Sequence, residues 1–378
     1  MQDNKPSVSR FRKYSLFERV ISLNNLYSAW DEFKVGKNKK LDVAEFAKDL
    51  KNNILKLHWD LKNKTYQHSP YQSFYVKDPK LRHIHKACVR DRVLHHAIFR
   101  ISYPIFDKSF IFNSYSSRLD KGTHLAVKRL SIFARKVSKN NTQNCYFLKC
   151  DVKKFFDSID QKILISLIGK KIQDKDFVWL IKIVVKSFQG GIPLGNVTSQ
   201  LFANVYLNEL DKFIKHHLKM KYYLRYCDDF IILGSDKNFL KSLILKIDNF
   251  LKLNLNLSLH PNKIFIRKYH QGVDFLGYVS FPHYSILRNK TKKRMFRKID
   301  LKVISFAVGE LSLKSFKQTL CSYYGLLKHS NYYRLSKRLK IFILSRLIKN
   351  PHINLEVSKL IRGFFNKILS VVFIHGFF

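Results

Sequence analysis

The feature that most constrains this chain is where a few of its scarce acidic residues fall. Cys145–Cys150 is a short, apolar, β-prone run that ends on Asp151, and Tyr222–Tyr226 and Phe230–Leu233 flank a Cys227-Asp228-Asp229 turn. Between them the spacing predicts two helical stretches, Gln161–Lys170 and Asp176–Phe188, then a Gly/Pro loop from Gly190 to Gly195. A further helix runs to about Lys219, with Leu201, Val205, Leu210, Phe213, Ile214 and Leu218 on one face and Thr198 or Ser199 as its cap. The fold class that follows is α+β, a small antiparallel sheet backed by helices.

The flanking segments extend this pattern. The first seventy residues read as helices. Leu41 to Leu61 carries apolar residues at helical spacing, with Asp42 and Glu45 as a variant capping box. Tyr66–Val76 is aromatic and β-like, Asp78-Pro79 marks a turn, and helical periodicity returns from Ile84 to Ile101. After Gly234, a helix over Asn238–Leu251 leads to Leu253–Leu259, where Leu alternates with Asn or Ser as in a strand. Ile264–Arg267 and Val273–Val279 read as further strands, and from about Leu287 the chain is helical and basic.

Composition decides the class of partner. Lys and Arg number 70 against 27 Asp and Glu, a formal charge of +43. Such a surplus repels itself in a compact body unless a polyanion or an acidic partner lies against it. With 46% hydrophobic and 14% aromatic residues, a disordered basic tail is excluded. Nucleic acid is the leading partner and an anionic membrane the second. There is no uncharged apolar run of about 18 residues, and Met1 to Val20 lacks the apolar core of a signal peptide. Membrane insertion is therefore not expected, and no membrane is assigned as a partner. Cys88, Cys145, Cys150, Cys227 and Cys321 form no C-x-x-C pair, which disfavours zinc fingers and disulfides and makes a reducing cytoplasm the expected location. His95/His96 and His216/His217 have no Cys or acid at ligand spacing and read as polar-face residues.

Against so positive a background, clustered carboxylates need a counter-charge. Two carboxylates from neighbouring strand ends can hold two Mg²⁺ ions about 3.5–4 Å apart, which activate a hydroxyl and neutralise phosphate charge during in-line displacement. An isolated Asp-Asp turn is also a common solvated turn. The surroundings choose between the two. Tyr226-Cys227-Asp228-Asp229, Lys149 to Asp160, Gly191 to Gln200 and Val273 to Tyr278 occur in an order and spacing that resembles a reverse transcriptase over about Tyr66–Tyr278. They match its motif C, motif A, motif B and primer grip.

The resemblance implies a right-hand polymerase fold and a role for each matching position. Asp151 and Asp228 would bind two Mg²⁺ ions, with Mn²⁺ as a possible substitute. The Val152 carbonyl would add an oxygen ligand, and Asp229 would be the supporting carboxylate. Phe156 would be the steric gate against a ribose 2′-OH. Lys80 and Arg82 would clamp the triphosphate. Leu194, Gly195 and Gln200 would line the nucleotide site. Lys263, in Pro261-Asn262-Lys263, would protonate the leaving pyrophosphate, and Phe275, Leu276, Gly277 and Tyr278 would form the primer grip. Asp91-Arg92 matches a frequent fingers pair or is a helix-surface ion pair; Asp157 and Asp160 read as helix N-terminal residues. The expected division is an N-terminal helical extension (1–65), fingers (66–147), palm (148–284) and a basic helical thumb with tail (285–378). In the thumb, Tyr323, Tyr324, Tyr332 and Tyr333 either contact nucleic acid or pack between helices. The apolar stretch Phe364 to Phe378 docks on a partner or completes the core.

Motif B narrows the resemblance. Most reverse transcriptases have Q-G-x-x-x-S-P there, whereas Leu194-Gly195-Asn196-Val197-Thr198-Ser199-Gln200 resembles the hydrophobic-G-x-x-x-S-Q of diversity-generating retroelement enzymes. That implies copying a template-repeat RNA into cDNA from dNTPs, with errors opposite adenine. It also implies partners: the RNA–DNA hybrid, a structured template RNA and a small basic accessory protein that forms a ring. Leu194 can neither donate nor accept a hydrogen bond, which removes one restraint on the incoming pair. The alternatives are a phage-defence or other bacterial reverse transcriptase, and a non-catalytic RNA-binding protein that keeps a polymerase fold.

Overall fold

The computed structural model describes residues 15–78 and 80–348, together with Gly363. In chain order the helices and strands are α1 (Leu16–Ile21), α2 (Leu23–Lys34), α3 (Leu41–Lys48), α4 (Leu50–Lys62), β1 (Gln72–Val76), β2 (Arg82–Lys86), α5 (Val89–Asp107) and α6 (Thr123–Val137). Next come β3 (Tyr146–Asp151), α7 (Phe155–Ser158), α8 (Gln161–Lys171), α9 (Lys175–Lys186), α10 (Val197–Lys212), β4 (Tyr223–Tyr226), β5 (Asp229–Gly234) and α11 (Lys237–Leu255). The chain continues through β6 (Phe265–Lys268), β7 (Val273–Phe275), β8 (Tyr278–Ser280), β9 (Ser285–Leu287), α12 (Asn289–Ala307), α13 (Leu313–Lys328) and α14 (Tyr333–Ile348). They fall into two compact units. One is Met1–Gly122, Leu148–Ile232 and Lys237–Ile266; the other is Thr123–Phe147, Leu233–Asp236 and Arg267–Phe378.

In the first unit, α5 and α10 form the helical core. Val93, Leu94, Ala97 and Ile98 of α5 are fully buried, and α2 and α10 pack on that helix. Helix α10 is buried on nearly all sides, through Leu201, Phe202, Ala203, Val205, Tyr206, Leu207 and Leu210, as a helix enclosed by others must be. The larger sheet has the order β4-β5-β3-β6. Its β4–β5 hairpin is antiparallel with Tyr226 opposite Asp229, leaving Cys227-Asp228 as a two-residue turn. The smaller sheet is the antiparallel β1–β2 hairpin, in which Val76 pairs with Arg82 and Tyr75 with His83.

In the second unit, β7-β8-β9 is an antiparallel meander. The β7–β8 turn is Leu276-Gly277, both at positive φ (+51° and +89°), as a tight two-residue hairpin favours. Helices α12, α13 and α14 bury Met295, Ile299 and Val303 with Phe316, Leu320 and Leu327 and with Leu339, Ile343 and Leu347, each set at helical spacing. Tyr324 is buried and donates to the Ser336 carbonyl at 3.4 Å, whereas Tyr333 is exposed. The stretch Phe364 to Phe378 lies outside the described residues. Among the described residues no helix is long and apolar enough to cross a membrane.

The structure corrects several local expectations. Leu41–Leu61 is two helices broken at Asp49, and Lys40 rather than Asp42 precedes the first. Asp42 caps nothing: it is ion-paired with Lys86 at 2.7 Å and with Arg92. The complete capping box is at α1, where Ser15 and Glu18 bond reciprocally. Helix α5 starts at Val89, because Ile84 belongs to strand β2. Helix α11 runs on to Leu255, because Leu243, Ile247, Leu251 and Leu255 keep one buried face through the stretch that reads as Leu/Asn alternation. Finally, α10 begins at Val197 after Asn196, without a side-chain cap. The Thr198 hydroxyl is taken instead by His95.

Candidate active site

The acidic site is built on strand β3 and the β4–β5 turn, all of it within the first unit. The Val152 N–H donates to the Asp228 carbonyl at 3.2 Å, which sets Asp228 beside Asp151. On the other side of β3, the His260 N–H donates to the Asp151 carbonyl (2.8 Å) and the Lys153 N–H to the Ser258 carbonyl (3.0 Å). Buried Val152 forms an antiparallel bridge to Leu259. The main chain at Asp151 is thus fixed from both sides.

Each carboxylate has a distinct environment. The Lys263 ammonium lies 2.6 Å from Asp151 Oδ1, in a partly exposed pair. Lys149, two residues before Asp151 and on the same face of β3, lies 3.1 Å from Asp229 Oδ2. Burial pushes Asp228 above the ordinary carboxylate range, and the neighbouring Asp151 pushes it further. Burial also raises Asp229, to about 6, against the pull of Lys149. The Cys150 and Cys227 thiols are both pushed up, mainly by burial and secondly by the adjacent carboxylates.

These residues fit a divalent cation on two observations. Asp229 Oδ1 is buried without a hydrogen-bond partner, and buried Asp228 is pushed up further by the neighbouring Asp151, a repulsion that an added cation would relieve. Among the described residues no group of three or more His, Cys, Asp or Glu side chains is gathered to hold a metal alone.

The Gly/Pro loop before α10 is clamped between the β3 side of the site and the β1–β2 hairpin. Ile192 N–H donates to the Phe156 carbonyl at 2.9 Å, and His85 N–H of β2 donates to the Leu194 carbonyl at 2.9 Å. Gly191 is at φ +64°, and a Cβ there would fall 2.2 Å from the Phe156 oxygen. A Cβ on Gly195 would meet the His85 carbonyl at 3.0 Å. Half-buried Phe156, in the short α7, packs edge-on to Phe155 at 5.3 Å between ring centres. Lys80, Arg82 and Gln200 are exposed and Leu194 is half-buried. The structure therefore gathers Asp151, Val152, Asp228, Asp229 and Lys263 into one place and ties Leu194 and Gly195 to Phe156 and β2. Phe275, Leu276, Gly277 and Tyr278 belong to the second unit, where Phe275 and Tyr278 are buried and Tyr278 donates to the Leu326 carbonyl at 2.9 Å.

Several participants escape sequence reasoning. Asp91 is not a helix-surface ion pair with Arg92, which pairs with Asp42 instead. Asp91 is buried and accepts from Tyr66 (2.8 Å), the Ser69 N–H (2.8 Å) and Arg90 (3.1 Å). Next to it, His68 Nδ1–H donates to the Ser69 carbonyl at 2.7 Å, and its Nε2 lies 3.1 Å from His95 Nε2. His95 Nδ1 is hydrogen-bonded to the Thr198 hydroxyl at 2.6 Å. His95 is thus a buried connector between α5 and the first turn of α10, not a polar-face residue, and burial pulls it down to about 3. The signal in the sequence is slight: a histidine at a buried helical position with a hydroxyl residue far along the chain. Asp160, by contrast, caps α8 by accepting from Lys162 and Ile163 N–H, as its position predicts.

Comparison with known proteins places this arrangement. The family model described as "Reverse transcriptase (RNA-dependent DNA polymerase)" matches residues 76–280. The chain is 24% identical to protein YkfC of Escherichia coli, over 64% of this chain and 74% of YkfC. It is 30% identical to the group II intron-encoded protein LtrA of Lactococcus lactis subsp. cremoris, over 45% of this chain and 29% of LtrA. It is 29% identical to the retron Ec73 reverse transcriptase of Escherichia coli, over 32% of this chain and 44% of that enzyme. The match spans less than half the length of the last two relatives. Since the family model covers more than half of the chain, the chain belongs to the reverse transcriptase (RNA-dependent DNA polymerase) family, and its mixed helix and antiparallel-sheet architecture is the polymerase fold of that family.

Proposed function

We propose that the protein is an RNA-directed DNA polymerase of the diversity-generating type, adding dNTPs to a primer on a template-repeat RNA. The observation that carries the catalytic part is the main-chain bond from Val152 to Asp228, which sets two carboxylates side by side at the end of a buried strand. In this reading Asp151 and Asp228, with the Val152 carbonyl, hold two Mg²⁺ ions, for which Mn²⁺ can substitute, and Asp229 supports them. Held there, the ions would supply a lowered pKa for the attacking hydroxyl and charge neutralisation for the transferred phosphoryl group. Lys80 and Arg82 hold the triphosphate as point and fork cations. Phe156 closes the space that a 2′-OH needs. Lys263, paired with Asp151 before substrate binds, transfers its hydrogen bond and then its proton to the leaving pyrophosphate. Phe275 to Tyr278 grip the primer.

The subfamily rests on Leu194-Gly195-Asn196-Val197-Thr198-Ser199-Gln200. Leu194 gives the loop no polar group with which to test the incoming pair, which supports relaxed fidelity opposite adenine. The +43 charge suits an RNA–DNA hybrid and a structured RNA. With a small basic accessory ring as a further partner, RNA would bridge the two basic proteins. A second reading, a bacterial reverse transcriptase of another kind, draws on the similarity to LtrA and the retron enzyme. The test is cDNA synthesis on an adenine-containing RNA template followed by sequencing. The proposal expects mismatches concentrated opposite adenine in the wild type and fewer in Leu194→Gln. Accurate copying by the wild type favours the second reading.

A further inference from the structure

Behind the Cys227-Asp228 turn lies a buried ionic network that the polymerase motifs do not include. Arg225 is the largest fully buried side chain among the described residues, and it faces Asp211, also fully buried. The pairing is a two-pronged fork: Nε to Asp211 Oδ1 at 2.7 Å and Nη2 to Asp211 Oδ2 at 2.6 Å. Tyr223, two residues earlier on the same face of β4, donates to Asp211 Oδ1 at 2.6 Å. Asn204 and Asp211, seven residues apart on α10, present their polar groups from one helix face. The remaining nitrogen, Nη1, donates to Asn204 Oδ1 at 3.2 Å and to the Cys227 carbonyl at 3.0 Å. Asn204 is itself oriented by its Nδ2 bond to the Ser116 carbonyl at 2.9 Å. The main chain of Arg225 is held too, by bonds from its N–H to Asn113 and to its carbonyl from Tyr115.

A buried ion pair of this kind contributes little net stability compared with apolar packing of the same volume. What distinguishes it here is its direction. Cys227, the residue before Asp228, is a non-glycine residue at φ +56°, a conformation that costs about 1–2 kcal/mol unless its surroundings hold it. The Cys227 carbonyl is the group that Arg225 grips. We propose that Arg225 is a positioning residue: locked by Asp211 and Asn204 of α10, it fixes the strained Cys227 peptide and so sets where the Asp228 carboxylate meets a metal ion. The proposal rests on the reading of Asp228 as a metal ligand. A lysine at this position keeps the charge but has no planar fork with which to reach Asp211, Asn204 and the turn together.

The test is Mn²⁺ affinity, measured by the paramagnetic signal of free Mn²⁺. The sample is the full chain on an RNA template and a dideoxy-terminated DNA primer with the matched dNTP, so that no turnover occurs. The variants are Arg225→Lys, the charge-neutral pair Arg225→Gln with Asp211→Asn, and Leu180→Ala, a buried α9 position that serves as a stability control. The proposal expects the Mn²⁺ dissociation constant to rise about 10-fold or more in both Arg225 variants, the usual effect of losing a group that orients a ligand. Leu180→Ala should lower Tm and leave Mn²⁺ affinity unchanged. Wild-type affinity in Arg225→Lys, or an equal loss in Leu180→Ala, overturns the assignment alone. A wild type with no Mn²⁺ binding sensitive to Asp228→Ala removes the metal-site reading, and the assignment with it.

Discussion

Gly191→Ala is a severe perturbation for a single added methyl group, and its cost can be worked from the geometry. The new Cβ would lie 2.2 Å from the Phe156 carbonyl oxygen and 2.7 Å from two backbone atoms of Asp157. Ordinary contact requires about 3.5 Å, so the loop and the α7 turn must separate by roughly 1 Å. Both neighbours are main chain, so no side chain can swing aside. The Ile192–Phe156 hydrogen bond of 2.9 Å would break, at a net cost of about 1 kcal/mol. Alanine at φ +64° adds about 1–2 kcal/mol. The expected destabilisation is about 2–3 kcal/mol in urea unfolding, with overpacking on top of it. Because the displaced group carries Phe156, discrimination between dNTP and rNTP should also fall, by about 10-fold for each 1.4 kcal/mol of lost alignment. Single-nucleotide incorporation kinetics measure that ratio. A Gly191→Ala protein with wild-type unfolding free energy and wild-type sugar selectivity would refute both the close approach and the gate.

Two further predictions concern pH and salt. His95 is held near 3 in the folded chain against an ordinary value of 6.5, so the unfolded chain binds the extra proton between those limits. Its contribution is complete above pH 6.5 and is lost as pH falls toward 3, at up to about 1.4 kcal/mol per pH unit. Replacing it by His95→Gln should flatten the decline in urea-unfolding free energy between pH 6.5 and 5, and an unchanged slope would mean that His95 is not buried neutral. A +43 chain that neutralises many phosphates should bind an RNA–DNA hybrid with a steep salt dependence. At about 0.7–0.9 log units of affinity per log unit of salt for each phosphate contacted, filter binding at several KCl concentrations counts those contacts, and a slope near zero would contradict a basic groove.

How much was legible in the sequence varies with the physics of each element. The strand ending on Asp151 and the hairpin around Cys227-Asp228 could be read because short apolar runs ending on acids have few alternatives. Asp228 and Lys263 were legible as candidates, but the pairing of Lys263 with Asp151 was not, since it joins residues far apart in sequence. The same limit hid Lys149 against Asp229 and Arg225 against Asp211: in a chain with 70 basic residues, nothing local marks which cations are buried. Leu253–Leu259 misled for a different reason. Alternating Leu and Asn satisfies a period of two, but Leu251 and Leu255 also satisfy a helical face, and packing chose the helix. His95 shows the third limit, because a buried polar residue is recognisable only once its partner, here Thr198, is placed beside it.

The central claim is that Asp228 and Asp151 form the site of nucleotide addition. Primer extension on an RNA template with dNTPs and Mg²⁺, comparing the wild type with Asp228→Ala, tests it most directly. The account predicts full-length cDNA from the wild type and none above background from Asp228→Ala at equal Tm. Equal extension by the two proteins would contradict it.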